Sequence, residues 1–194
     1  MFASQRLRMS PPPIVYPTVS VVQSTGNDFG SSTISFTNPV ASGNSVILVV
    51  QTIATWAPTV PLAGCGLTFT QVGAGNGGAV YYCTNPNGLT GIITAANNDV
   101  WAMAAIEVHG AVGSPAVTSG SGGTLTVTPT RSGQLVAVGL GSEVIGTSPT
   151  SPWNIANSAN RIQIAYQVVS STTSVTATWT SSGPHNAPWG TVLN

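Results

Sequence analysis

The chain of 194 residues carries only four basic and four acidic side chains, so its formal net charge is zero. Charged residues make up 4% of the sequence, against about 25% in an average soluble domain. Nucleic-acid binding is therefore not expected, because phosphate contacts need clustered lysine or arginine side chains. No apolar run approaches the ~20 residues of a membrane-spanning helix, so no membrane association is expected either.

The first 17 residues differ in composition from the rest, and we predict an extended arm over residues 1–17. Four prolines disfavour helix there and favour polyproline geometry. The arm is either a frayed terminus or a segment that orders on a neighbouring molecule. In the second case its contact residues would be Arg6, Arg8, Pro11, Pro12, Pro13 and Tyr16. Prolines stand where the apolar part of a secretory signal would follow the arginines, so we expect folding in a cytoplasm.

Residues 18–194 are predicted to form one domain of short β-strands, separated by turns about every 8–12 residues. Apolar and polar side chains alternate in four stretches: Thr33–Thr37, Thr124–Thr128, Arg161–Val168 and Ser174–Thr180. A period of two with a threonine-rich outer face is typical of a half-buried strand. No window has a helical period with caps, so the pattern favours an antiparallel β-sandwich.

Two predicted strands, Val46–Val50 and Leu135–Leu140, are apolar on both faces. In a two-layer sandwich one face of each strand meets the core, and the other face needs a cover. A loop, the N-terminal arm or a neighbouring subunit could supply that cover. We favour a loop over an interface between molecules.

The same two strands reveal an internal repeat. Ser42-Gly43-Asn44 precedes the first strand as Ser132-Gly133-Gln134 opens the second. Further on, Tyr81 is aligned with Tyr166, and Trp101 with Trp189. We predict that the two halves interleave into a single jelly-roll-like sandwich. Two tandem domains are the less favoured alternative, because about 85 residues bury little core alone.

Groups suited to catalysis or metal binding are few. Glu107 and His109 lie two residues apart, so on one face of a strand, but no nucleophile motif accompanies them. We interpret them as a polar strand end and expect neither a catalytic site nor an enzyme. The cysteines and histidines lack the spacing of a metal site, and no cofactor is expected.

Two cysteines, Cys65 and Cys83, flank the predicted hairpin around the glycine-rich run 73–78. In such a hairpin Cys65 falls within about two residues of a position opposite Cys83. A cross-strand disulfide is then reachable after oxidation, but a cytoplasmic protein favours two thiols.

Five tryptophans are divided between strands and loops. Trp101 and Trp179 lie in strands and are predicted to be core residues. Trp56 and Trp153 lie in proline-marked loops, where they would either contact a glycan or partner protein or close the end of the sandwich. We expect Trp189 to belong to a strand.

The order of these elements resembles a β-sandwich of tailed-bacteriophage virion proteins and of some bacterial surface proteins. The matching stretches are Ser42–Val50, Ala79–Cys83, Trp101–Gly110, Ser132–Val138, Trp153 and Ala187–Gly190. Each motif is generic sandwich patterning, and only their order carries information. The resemblance covers residues 18–194, although this chain carries fewer charges than such modules usually do.

The resemblance implies a non-enzymatic virion structural protein, assembled in the host cytoplasm. The expected role is a capsid decoration or cement protein that forms a homo-oligomer. It would bind neighbouring subunits of the major capsid protein or another virion protein. The near-zero charge favours close assembly, because little repulsion separates the copies. The alternative is a glycan-binding or adhesion module of a phage tail or cell surface, using Trp56 and Trp153.

Overall fold

The computed structural model describes residues 15–28, 31–52, 62–63, 68–75, 77–83, 92–95, 100–111, 115–120, 122–142, 144–159, 161–183 and 186–194. All regular structure in these ranges is β-strand, and every strand pairing is antiparallel. The prediction of an all-β, antiparallel, sandwich-like fold is therefore confirmed. The jelly-roll connectivity is a finer statement and stays a prediction.

The described residues of the first half form eight strands. They are β1 (Ser20–Asn27), β2 (Thr33–Ser35), β3 (Ser45–Thr52), β4 (Leu62–Ala63), β5 (Thr70–Gly75), β6 (Gly78–Cys83), β7 (Ile92–Ala95) and β8 (Val100–His109). Five of them form a sheet in the order β1-β8-β3-β6-β5, and the other three form a sheet in the order β2-β7-β4. The predicted hairpin between β5 and β6 is present, with a shorter connection at residues 76–77.

Nine strands lie in the described part of the second half. They are β9 (Val117–Ser119), β10 (Thr124–Val127), β11 (Leu135–Gly141), β12 (Val144–Thr147), β13 (Asn154–Ser158), β14 (Ile162–Val168), β15 (Val175–Thr178), β16 (Thr180–Ser182) and β17 (Ala187–Leu193). Five form a sheet in the order β13-β14-β11-β17-β9. The short pairs β10-β15 and β12-β16 correspond to the three-stranded sheet of the first half, with its central strand divided in two.

The predicted interleaving of the two halves is wrong. Every observed strand pairing joins strands of the same half, so each half forms a small sandwich of its own. We predicted that one half alone would bury too little apolar surface to be stable. That prediction did not include the apolar surface that the two halves bury against each other. The two five-stranded sheets pack face to face and enclose an additional apolar layer.

Three apolar cores result from this arrangement, and they explain the doubly apolar strands. On β3, Val46, Leu48 and Val50 face the core of the first half, whereas Ile47 and Val49 face the layer between the halves. β11 has the same alternation, between the core of the second half and the shared layer. The second face of each strand is therefore covered by the other half of the chain. The prediction that a loop covers it is wrong.

The predicted outer face of β14 is buried too, against the core of the second half. Gln163 and Gln167 are only 5% and 7% exposed, because one face of β14 meets the shared layer and the other lies toward the core of the second half. Alternation of apolar and polar residues therefore overestimated the exposure of this strand.

The two halves meet through an approximately twofold arrangement. Contacts across the shared layer join β1 to β13, β3 to β11 and β5 to β9. By strand order, β9 corresponds to β1 and β13 corresponds to β5. Exchanging the two halves therefore turns the contact between β1 and β13 into the contact between β9 and β5, and the reverse. Such a symmetric, self-complementary interface is typical of a homodimer, here formed within one chain.

Strand register corrects the predicted alignment of the repeat. The Ser-Gly turns are equivalent, with positive φ angles of 84° at Gly43 and 81° at Gly133. When Val46 is aligned with Val136, Val49 is aligned with Gly139. Val49 pairs with Ala104 on β8, and Gly139 pairs with Trp189 on β17. Trp189 is therefore equivalent to Ala104 and not to Trp101. By the same register Tyr166 is equivalent to Tyr82 and not to Tyr81.

This alignment reveals compensating side-chain sizes in the shared layer. A Cβ atom added at Gly139 would lie 2.3 Å from the indole of Trp189, so the large ring is accommodated by a residue without a side chain. The first half has the medium-sized Val49 opposite the small Ala104. Each half thus fills the space with a different pair, as close packing requires.

Candidate functional site

The described part of the predicted arm lies on the second half of the molecule. Val15 is 89% exposed and Val19 is 1% exposed, so the chain enters the sandwich over these five residues. The ring of Tyr16 lies under the guanidinium of Arg131, with 3.8 Å between Cζ and the ring centroid. A cation over an aromatic face is worth about 0.5–1 kcal/mol at an exposed site. Of the predicted arm contacts, Arg6, Arg8 and Pro11–Pro13 lie outside the described residues.

A groove of about 440 Å³ adjoins this contact and is lined by Tyr16, Pro17, Thr130, Arg131 and Asn194. Nη2 of Arg131 is buried and has no hydrogen-bond partner among the described residues. No local sequence pattern indicates the role of Arg131, because its contact with Tyr16 depends on where the N-terminal segment lies on the other half.

The loop tryptophan Trp153 is mostly packed. Its side chain is 9% exposed and belongs to the core of the second half. Its Nε1 donates a hydrogen bond of 3.1 Å to the carbonyl oxygen of Thr176. One side of the ring lines an open groove with prolines 149 and 152 and nearby hydroxyls. Trp56, the other predicted contact, lies outside the described residues.

The predicted strand tryptophans differ in burial. Trp179 is 3% exposed and is a core residue as predicted. Trp101 is only partly buried, and the guanidinium of Arg161 covers its ring at 4.7 Å from the centroid. Because Arg161 belongs to the second half, this pair joins the two halves instead of filling a core.

Glu107 is not the exposed strand end that the sequence predicted. The carboxylate is 1% exposed and accepts hydrogen bonds from the backbone N–H of Ala41 at 2.8 Å, Nδ2 of Asn44 at 2.6 Å and Nε2 of Gln23 at 2.5 Å. A buried charge is tolerated when enough donors surround it. These bonds tie the loop before β3 to β1 and β8.

His109 lies at the exposed end of the same network. Its Nδ1 is 2.9 Å from Oδ1 of Asn44, and Asn44 in turn donates to Glu107. Glu107 and His109 are thus connected through an amide, on one strand face as predicted. The hydrogen-bond capacity of the carboxylate is used to hold the loop in place.

The predicted cysteine pair is only partly described. Cys83 is 3% exposed and faces the core of the first half. Burial raises the pKa of its thiol above the ordinary value of 9.0. Cys65 lies outside the described residues, so the disulfide stays a prediction.

A cavity of about 230 Å³ lies between β5 and β9, where the edges of the two large sheets meet. Gln51 and Trp189 contribute to its wall and are 0% and 4% exposed. No site was predicted here from the sequence. A visible signal was Gln51, a polar residue directly after the apolar run Val46–Val50.

The described residues contain no group of three histidine, cysteine, aspartate or glutamate side chains that could hold a metal ion. In the same part of the chain no helix could cross a membrane. No protein-family model, curated protein or solved structure matches this chain.

Proposed function

We propose that the protein is a non-enzymatic structural protein of a virion, a capsid decoration or cement protein. In this proposal it binds neighbouring subunits of the major capsid protein or another virion protein, and it assembles as a homo-oligomer in the host cytoplasm. Nucleic acid, membrane and cofactor play no part. The resemblance in element order motivates the virion assignment.

The observation that carries the proposal is the course of residues 15–19. The chain leaves the sandwich with Val15 fully outside it, and Tyr16 is held against Arg131 of the other half. Residues before Val15 therefore start from the molecular surface, where they can reach a neighbouring molecule. A proline-rich segment that is already extended loses little entropy when it docks.

The distribution of charge is compatible with this role. Arg131 and Arg161 each cover an aromatic ring, Glu107 is buried, and Asp28 accepts a bond from the backbone N–H of Arg161. The outer strand faces present hydroxyl groups in hydrogen-bonded pairs, such as Thr126 with Thr176. A surface of this kind allows close packing without charge matching.

The alternative, a glycan-binding or adhesion module that uses Trp56 and Trp153, is less well supported at the described tryptophan. The ring of Trp153 is packed and its Nε1 is already bonded to Thr176. A packing role explains both observations.

The first experiment measures whether the protein belongs to a particle. Particles purified by density gradient from the source cells should contain this chain at a copy number that is a simple multiple of the shell symmetry. Quantitative mass spectrometry supplies that number. Absence of the chain from every particle fraction would overturn the proposal.

The second experiment tests the arm with two truncations. Removing residues 1–14 retains the contact between Tyr16 and Arg131, whereas removing residues 1–17 eliminates it. Both variants should fold, because the first strongly buried side chain of the described chain is Val19. We expect both to lose particle binding, the longer truncation more completely. Binding as tight as that of the full chain would exclude the arm as the contact.

A further inference from the structure

Within the described residues, one edge of strand β10 has no partner strand. β10 forms a two-stranded sheet with β15 alone. The backbone N–H of Trp179 donates to the carbonyl oxygen of Gly123 at 2.7 Å, so Gly123 directs its backbone groups toward β15. Because this direction alternates along a strand, Leu125 does the same, whereas Thr124 and Thr126 direct their N–H and C=O groups away from β15. We call this side the outer edge of β10.

The first half of the molecule shows how the equivalent edge is closed. Its strand β2 corresponds to β10, and side chains of β1 bond to its outer edge. Asn27 donates to the carbonyl oxygen of Thr33 at 3.0 Å, and Thr25 donates to that of Ser35 at 2.7 Å. The amide of Gln23 bonds to a backbone N–H and a backbone C=O in the loop after β2. These three side chains take the place of a neighbouring strand.

The second half lacks most of these donors. By strand register the three side chains are replaced by Ala116, Thr118 and Gly120, which lie on β9 or flank it. Only Thr118 retains a side-chain donor. A Cβ atom added at Gly120 would lie 3.6 Å from the carbonyl oxygen of Thr124, in the place from which Asn27 donates in the first half. The outer edge of β10 therefore faces a position where the closing side chain is missing.

A groove of about 460 Å³ lies along this edge. Thr126 and Thr128 are exposed and line it, together with Val192 and other residues of β17. None of its eleven lining residues carries a charge. It shares Thr130 and Asn194 with the groove at Tyr16 and Arg131, so the two grooves adjoin. The N-terminal segment thus enters the sandwich next to the outer edge of β10.

An extended peptide suits such a place, because a strand added to an open edge gains backbone hydrogen bonds. Residues 1–10 of the predicted arm have a matching pattern. The even positions from 4 to 10 hold only serine and arginine. Four odd positions are apolar, namely Met1, Ala3, Leu7 and Met9. As a strand, this segment can turn one apolar face to the uncharged groove while its arginines stay in water.

The prolines of the arm decide which molecule this segment reaches. Residues 11–15, next to Tyr16, span about 15 Å at the polyproline rise of about 3.1 Å per residue. The outer edge of β10 from residue 124 to residue 128 spans only about 14 Å. Residues 1–10 therefore begin beyond the end of the molecule's own edge, and the three prolines have no N–H with which to pair to it.

We propose that residues 1–10 of one copy add a strand to the outer edge of β10 in a second copy of this chain. The contact rests on the homo-oligomer proposed above and names the surface that joins its copies. It accounts for the difference between the halves, since closing side chains would exclude the added strand.

The test mixes two variants that carry complementary defects. A chain without residues 1–10 retains the open edge but has no strand to donate. The variant Ala116→Gln with Gly120→Asn retains the arm but restores two closing amides of the first half. In sedimentation velocity the natural protein should self-associate, and each variant alone should do so at least about tenfold more weakly. An equimolar mixture of the two variants should form heterodimers, because the arm of one meets the open edge of the other.

Gly122→Asn is the matched control. It makes the same substitution in the turn before β10, at a positive φ of 74° with no atom within 4 Å of the new Cβ, and asparagine tolerates this conformation. It should leave the Kd of self-association unchanged. Ala116→Gln alone changes an exposed position and should weaken association in the same direction as the double variant. Circular dichroism and the unfolding midpoint show that each variant is folded.

A mixture that stays monomeric would overturn the proposal, as would a folded variant that alone associates as tightly as the natural protein. A natural protein that is monomeric at every concentration would also overturn it, whether its arm closes its own edge or stays free. None of these measurements needs a particle, so the two proposals fail separately. Heterodimers without any chain in particles would contradict only the virion role, and particles containing the chain without heterodimers would contradict only this contact.

Discussion

Replacing Glu107 by alanine tests the buried network that holds the loop before β3. The carboxylate accepts bonds from the backbone N–H of Ala41 and from the side-chain amides of Asn44 and Gln23. Alanine removes the acceptor from all three donors at once. Asn44 directly precedes β3, and its backbone N–H donates to the carbonyl oxygen of Ala41 at 3.1 Å, so both residues stay near the vacated position.

The expected cost follows from the burial of each donor. Asn44 is 4% exposed, and its amide would remain without an acceptor. A buried unsatisfied donor costs about 1–3 kcal/mol. Ala41 is exposed and Gln23 is partly exposed, so their donors can bond to water at little cost. We therefore expect Glu107→Ala to lower the free energy of unfolding by about 1–3 kcal/mol.

Urea unfolding followed by tryptophan fluorescence measures this difference. Glu107→Gln is the matched variant, because its carbonyl oxygen can take the place of Oε1, which accepts from both Ala41 and Asn44. It should cost less than about 1 kcal/mol. His109→Ala removes only the exposed end of the network and should stay within about 0.5 kcal/mol of the natural protein. A Glu107→Ala protein that unfolds within the same 0.5 kcal/mol would refute the reasoning.

Three further predictions follow from the packing and the ionisable groups. Trp153→Ala should destabilise the protein by about 3–5 kcal/mol, as for a buried aromatic residue; an unchanged unfolding midpoint would instead support a surface contact role. Gly139→Val should lower the free energy of unfolding by at least about 1–3 kcal/mol, because the new side chain collides with Trp189. The double variant Gly139→Val and Trp189→Ala reproduces the equivalent pair of the first half. In a double-mutant cycle it should recover part of that loss of stability. Burial raises the pKa of the Tyr82 hydroxyl and the Cys83 thiol above their ordinary values of 10.0 and 9.0. The unfolded chain then releases these protons at lower pH than the folded chain, so stability should hold below about pH 9 and fall as the pH rises further; a constant free energy of unfolding up to about pH 11 would contradict this.

Local sequence patterns were enough to predict the strand content of the fold. Alternation over Thr124–Thr128 and Ser174–Thr180 correctly predicted half-buried strands, since the side-chain period of a strand is a local property. The Ser-Gly turns at Gly43 and Gly133 also marked the repeat correctly. Their positive φ angles need glycine for steric reasons that act within a few residues.

The cover on the second faces of β3 and β11 could not be predicted locally, because it depends on how the two halves pack. An apolar run such as Val46–Val50 signals burial on both sides, but burial under a loop, a subunit or a second half has the same pattern. The same ambiguity explains Glu107, whose donors come from positions 23, 41 and 44. These residues come together only in the folded chain, so no local sequence pattern indicates that they contact Glu107.

The candidate sites depend even more on contacts between residues that are distant in the sequence. The pairing of Tyr16 with Arg131 and the cavity between Gln51 and Trp189 join residues more than a hundred positions apart in the sequence. The composition of the chain showed only that charge is scarce and that tryptophans are available. Which of them meet is determined by the packing of one half on the other, because that contact alone brings β5 beside β9 and the N-terminal segment beside the second half.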